Sequence, residues 1–197
     1  MSAHTALTRG DLWSLEEYSQ ERAGFRDTVL AHKKNRQVLL GEHILLIFED
    51  RMTLKYQIQE MLRIEKVFES AGIQEELDAY NPLLPDGNNW KCTMLIQFTD
   101  VDERRVELQR LIGIEEKVWV QIGDCEKVFA IADEDMERAN EEKTSAVHFL
   151  RYQLTDQQIS EAKSGAELFV GVDHEAYSTD VVKVGDEVKQ ALYIDLA

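Results

Sequence analysis

The first residue in this sequence that could do chemistry is a glutamate on the apolar side of a helix. From Phe48 to Lys66 the periodicity is helical, and at about 100° per residue Leu54, Ile58, Met61, Leu62 and Phe68 gather on one side. Glu65 falls within about 20° of Leu54 on that wheel, inside the apolar cluster. A carboxylate so placed has to be paired, protonated or bound, because an isolated buried charge costs several kcal/mol. Gln57 points to the same side. The two read either as a polar network lining a pocket or as a buried partner for an arginine such as Arg22, Arg26 or Arg36. On the flank, Tyr56, Glu60 and Arg63 form an i, i+4, i+7 row. That row extends the pocket, or it is a surface ion pair worth under about 1 kcal/mol.

Histidines carry the second group of readings. His148 lies in an alternating stretch and shares a face with Ala146, Leu150 and Tyr152. A lone strand histidine is either a satisfied core residue or a ligand. Asp173-His174-Glu175-Ala176-Tyr177 follows an expected strand end, where functional residues collect. Asp173, His174 and Tyr177 have the chemistry of an acid, a base or a ligand, and equally of turn residues and a cap. His43, His148 and His174 could converge on a metal, with Glu65 as a further weak ligand, but nothing in their spacing says so. There is no HExxH, no ExxH pair, no Walker A loop, no GxGxxG and no GxSxG. No motif names a cofactor.

These residues need elements to position them. Helices are expected over 15–34, from about Thr53 to Ala71 with Thr53 as N-cap and Gly72 just past the end, from Asp100 to Gly113, about Asp133 to Lys143, from Thr155 to Gly165, and over most of Ser178 to Leu196 with Gly185 as a weak point. Val38–Leu40 and His43–Phe48 read as a hairpin around Gly41-Glu42, and Lys117–Ile122 with Cys125–Ala132 as another around Gly123-Asp124. Further strands are expected at Trp90–Phe98, Ser145–Leu154 and Glu167–Val172, with Asn81–Asn89 as a turn-rich loop holding both prolines. Hairpins mixed with helices predict an α+β fold, with a mostly antiparallel mixed sheet and about five to six helices packed on it. Residues 1–197 read as one domain, with 1–12 a flexible N-terminal segment.

Net charge narrows the partners. Twenty-two Lys and Arg against 38 Asp and Glu give −16. That disfavours nucleic acid, whose binding depends on neutralising phosphates, and anionic membranes. It suits a soluble cytoplasmic protein, or one that docks on a basic partner. The two cysteines, Cys92 and Cys125, exclude a disulfide framework and a four-cysteine zinc site, and read as buried free thiols. No apolar run approaches the roughly 20 residues of a membrane span, and Met1–Thr5 lacks the features of a signal peptide.

Several blocks resemble a known family. Phe48-Glu49, Thr53, Gln57, Gln59-Glu60-Met61, Arg63 and Glu65 look like the signature of domain of unknown function three-five-zero-one. Asn81–Gly87, Thr144–Phe149, and Asp173-His174 with Tyr177 are similar to its later blocks, so the resemblance runs from about Tyr18 to the C-terminus. Gln97 departs from it, standing where a carboxylate is expected. Members are often encoded beside a rubrerythrin-like protein and a cysteine-rich iron–sulfur oxidoreductase. The resemblance therefore implies a part in a peroxide- or oxygen-defence redox module, without identifying an active site. Two readings follow. In the first, the chain is an accessory protein that docks on an iron–sulfur oxidoreductase or rubrerythrin-like partner. In the second, it is a metal- or small-ligand-binding enzyme with a pocket built from Glu60, Arg63, Glu65, His148 and His174.

Overall fold

The computed structural model describes residues 5–134 and 143–197. Its elements in chain order are α1 (Leu15–Lys34), β1 (Gln37–Leu40), β2 (Ile44–Phe48), α2 (Arg51–Glu65), α3 (Ser70–Tyr80), β3 (Asn89–Ile96), α4 (Val101–Arg110), β4 (Val118–Ile122), β5 (Val128–Phe129), β6 (Ile131–Ala132), β7 (Val147–Gln153), α5 (Asp156–Lys163), β8 (Leu168–Val172), β9 (Val182–Lys183) and α6 (Asp186–Ile194). The fold is α+β, as the alternation of hairpins and helices predicts, but the strands form two antiparallel sheets rather than one. The five-stranded sheet has the order β1-β2-β3-β7-β6 and the four-stranded sheet β5-β4-β8-β9.

Strict alternation along the strands explains how the sheets meet. Ile44, Leu46, Phe48, Cys92, Met94, Ile96, Leu150 and Tyr152 point inward from one sheet. Val118, Val120, Ile122, Leu168 and Val170 point inward from the other, and all belong to one buried cluster. The expected strand Cys125–Ala132 is in fact broken. Val128 and Phe129 pair with β4, Ala130 keeps one bond to Val118, and Ile131 and Ala132 pair with β7 of the other sheet. A smaller apolar cluster of Leu7, Leu54, Ile58, Leu62, Leu77 and Leu84 lies between α2, α3 and the N-terminal segment. That segment is not loose from Leu7 onward: Leu7 is buried and exchanges two hydrogen bonds with Asn81.

Other boundaries also move. The helix expected over Thr53–Ala71 is two helices. Asp50, not Thr53, caps α2, its carboxylate accepting from the Met52 and Thr53 N–H groups. Lys66 ends the helix in a left-handed conformation, and Gly72 lies within α3. The first hairpin has a three-residue loop, since Leu40 pairs with Ile44. Gly41 takes a φ of +62° there, and a Cβ would stand 2.6 Å from the Tyr177 hydroxyl. The C-terminal segment is not one helix: β9 precedes Gly185, which is the N-cap of α6. The acidic helix expected at about Asp133 to Lys143 lies mostly outside the described residues.

Candidate functional site

The buried carboxylate foreseen in the sequence exists, but it is Glu49. Alternation continues past Phe48, so Glu49 falls on the outer face of the five-stranded sheet, where α2 covers it to 2% exposure. Its oxygens accept from the hydroxyls of Thr53 and Thr93, both at 2.5 Å, and from the Gln57 amide at 3.1 Å. Gln57 therefore does face a polar network, as expected. Glu65 does not: it is exposed, because it is the last residue of α2 and the helix has left the core by then. Phe68, placed in the same apolar cluster by the wheel, is 71% exposed, because the helix has ended before it.

Arg36, 2% exposed, is the buried arginine. It pairs with Asp195 after α6 and with the Asp50 cap of α2 at 3.4 Å, and donates to the carbonyls of Phe48 and Glu49. His32 meets Asp50 at 2.5 Å. The Arg36 charge and the capped N–H groups hold the Asp50 carboxyl below its usual range against the opposing effect of burial.

Glu60 is the centre of a second cluster. It accepts from Arg22 Nε at 2.7 Å and Nη2 at 2.9 Å, from the Tyr18 hydroxyl at 2.7 Å, and from Arg63 at 3.1 and 3.3 Å. The Arg22 hydrogen bonds above all, with those of Arg63 and Tyr18, hold its carboxyl down at about 2. Burial and the Glu60 contact push the Tyr18 phenol up. Every strong acceptor position of Glu60 is thus taken by α1 or by its own helix.

His148 is wholly buried. Its Nδ1 faces Asp133 Oδ2 at 2.6 Å, and its Nε2 faces the Thr144 hydroxyl at 2.8 Å and the Ser145 carbonyl at 3.0 Å. Thr144 in turn donates to Glu115 at 3.0 Å, and Asp133 Oδ1 accepts the Phe149 N–H at 3.0 Å. His148 is the satisfied core histidine, locked between strands and loops. Asp133 holds a φ of +51°, which aspartate tolerates better than most residues.

At the end of β8 the residues serve the turn. Asp173 accepts from Trp119 Nε1 at 2.8 Å and from Lys127 at 2.8 Å. His174 donates through Nε2 to the Ile112 carbonyl at 3.1 Å, and its Nδ1 accepts the Ala176 N–H at 3.2 Å. The Tyr177 hydroxyl donates to the Leu40 carbonyl at 2.6 Å and pins the first hairpin. His43, on that hairpin, stacks on Phe98 and donates to the Gln97 carbonyl at 2.9 Å. Among the described residues no three His, Cys, Asp or Glu side chains are grouped to hold a metal ion. Cys92 is buried, and burial pushes its thiol up, whereas Cys125 is only half-buried. Among the described residues no helix is long and apolar enough to cross a membrane.

What remains open is the outer face of the five-stranded sheet. The register puts Leu39, Leu45, Leu95 and Val147 in one row across β1, β2, β3 and β7. Leu39 is 50% and Val147 37% exposed. Beside this row, under the turn Asn81–Leu83, lies a groove of about 430 Å³ lined by Pro82, Leu83, Lys91, Phe149, Leu150 and Arg151, with Glu134 at its edge. Sequence reasoning passed over both features; alternation through β3 and β7 places Lys91 and Arg151 each outward, and only the strand register brings them together.

The comparisons agree with this fold. A protein of unknown function from Burkholderia pseudomallei, known from a crystal structure, is 48% identical to this chain, with a TM-score of 0.94 over 98% of this chain and 100% of that one. Among curated proteins no relative is found. Residues 6–196 match the family described as "Protein of unknown function (DUF3501)". The chain belongs to that family.

Proposed function

We propose that this protein acts by docking on another protein, as an accessory member of a cytoplasmic redox module of peroxide or oxygen defence. Its partner is an iron–sulfur oxidoreductase or a rubrerythrin-like protein of the kind the sequence resemblance implies. The observation that carries the reading is the apolar row Leu39, Leu45, Leu95 and Val147, exposed at its two ends and partly buried between them. The residues with catalytic chemistry support it from the other side. Glu60, His148, Asp173, His174 and Tyr177 are each engaged by internal hydrogen bonds. The net charge of −16 adds long-range attraction to a basic surface.

The test is to mix the purified protein in turn with an iron–sulfur oxidoreductase and a rubrerythrin-like protein of the same host, anaerobically and at low salt, and to measure co-elution. A stable complex that weakens as salt rises is expected. A protein that elutes alone at every salt concentration, with both candidate partners, overturns the reading.

A further inference from the structure

The structure assigns a ligand to the groove under the Asn81–Leu83 turn: we propose that Lys91 and Arg151 bind the carboxylate of a small organic acid whose apolar body lies against Pro82, Leu83 and Phe149.

The sheet register makes the case. Lys91 on β3 stands directly opposite Arg151 on β7, both on the outer face. Like charges in directly opposed positions destabilise an antiparallel pair. Arg151 is compensated: Nε and Nη2 donate to Glu134 at 2.7 Å each, and Nη1 donates to Gln153 at 2.7 Å. Lys91 is not. It is half-buried, and among the described residues its ammonium donates no hydrogen bond and joins no ion pair. Burial first, then the Arg151 charge, pushes the Lys91 ammonium below the usual lysine range, and the charges of Glu134 and Asp86 only partly offset this. A fold that needed only stability would place an apolar or acidic residue opposite Arg151. A carboxylate between the two cations removes the repulsion and gives Lys91 the acceptor it lacks.

The rest of the groove selects the ligand class. Its volume of about 430 Å³ suits a small molecule. Its apolar walls are Pro82, Leu83 and Phe149, which favour an alkyl or aryl body, with the Glu134 carboxylate also in the lining. Glu134 already offsets one of the two cations, so Lys91, Arg151 and Glu134 together leave one positive charge, and the site matches one negative charge rather than a phosphate dianion. The groove is separate from the Leu39–Val147 row, and its occupancy does not depend on the docking reading.

The experiment is a calorimetric titration of the full chain with sodium octanoate at low salt, alongside 1-octanol as the uncharged analogue. Octanoate is expected to bind. Lys91→Met is expected to weaken it by about ten-fold or more, the loss of one charge-assisted bond, while Lys91→Arg retains it. Lys91→Met should unfold at the same temperature as the parent or higher, because it relieves the Arg151 repulsion, so weaker binding cannot be put down to misfolding. Bound octanoate should also slow acetylation of Lys91 and leave that of exposed lysines such as Lys183 unchanged. The proposal is overturned if octanoate gives neither heat nor a rise in unfolding temperature. It is equally overturned if Lys91→Met binds as the parent does, or if octanol binds as tightly as octanoate.

Discussion

The two sheets finish their outer faces in opposite ways. On the four-stranded sheet Trp119 lies flat across Gly171 and is 1% exposed. Lys127 sits 4.0 Å above its ring, and Asp173 accepts from both the indole and the ammonium. Aromatic surface, cation and anion are closed on one another. On the five-stranded sheet α2 closes only one end, over Glu49 and Thr93. The rest keeps half-exposed leucines and a lysine opposed to an arginine. Both faces use a lysine near a central strand, and only one supplies that lysine with an anion from its own chain. Internal stability accounts for the closed face. The open face has the composition of a surface that something else completes.

The comparison breaks most violently at Gly171. A Cβ there would stand 2.3 Å from the Trp119 ring. Gly171→Ala should therefore displace the indole from its contacts with Lys127 and Asp173, at a cost of about 3 kcal/mol, read as a lower denaturant midpoint with unchanged slope. Glu49→Ala tests the closed end of the other sheet. It leaves the hydroxyls of Thr53 and Thr93 and the Gln57 amide without their acceptor, which should cost about 2–3 kcal/mol. Glu49→Gln should cost less, since its amide oxygen still accepts.

What the sequence made legible follows from how local each signal is. The bounds of α1 were readable because Leu15, Tyr18, Phe25, Val29 and Leu30 recur at helical spacing and a basic run closes the helix at residues 32–34. The core faces of β2, β3 and β7 were readable because alternation is a property of each strand alone. Glu65 was misplaced because it is the last residue of α2, and nothing in the sequence marks the helix end there: Lys66 takes the left-handed position that glycine usually fills. Glu49 was missed because its burial comes from α2 folding back over the sheet, a tertiary event. The break at Ala130 and the meeting of Lys91 with Arg151 depend on strand pairing across 60 residues of register, which periodicity does not contain.

Glu60 offers a smaller and pH-dependent contrast with Glu49, since two of its three donor residues are charged where those of Glu49 are neutral. Its native carboxyl is held at about 2, against an ordinary value of 4.5. The unfolded chain therefore takes up the proton first as pH falls. The stabilisation is complete above pH 4.5 and is lost progressively between there and about 2. Arg22 and Arg63 are 35% and 41% exposed, so solvent screens the pairing. Glu60→Gln should cost about 1–2 kcal/mol at neutral pH and flatten the pH dependence of the unfolding midpoint across that window. An unchanged slope there would move the acid sensitivity to other carboxylates.

The smallest expected effect on stability carries the most weight for function. Leu39→Thr with Val147→Thr places a β-branched residue at both positions and removes apolar surface that is already half in water. Stability should change by no more than about 0.5 kcal/mol, while the complex with the redox partner should weaken by about ten-fold or more, as when an interface loses a central apolar contact. Phe129→Thr is the matched control: it is 42% exposed, but on the edge of the four-stranded sheet. If the open face is the docking surface, only the first pair of substitutions weakens the complex. If both variants bind alike, the difference between the two faces is a matter of packing economy, and the partner attaches elsewhere, through the acidic surface.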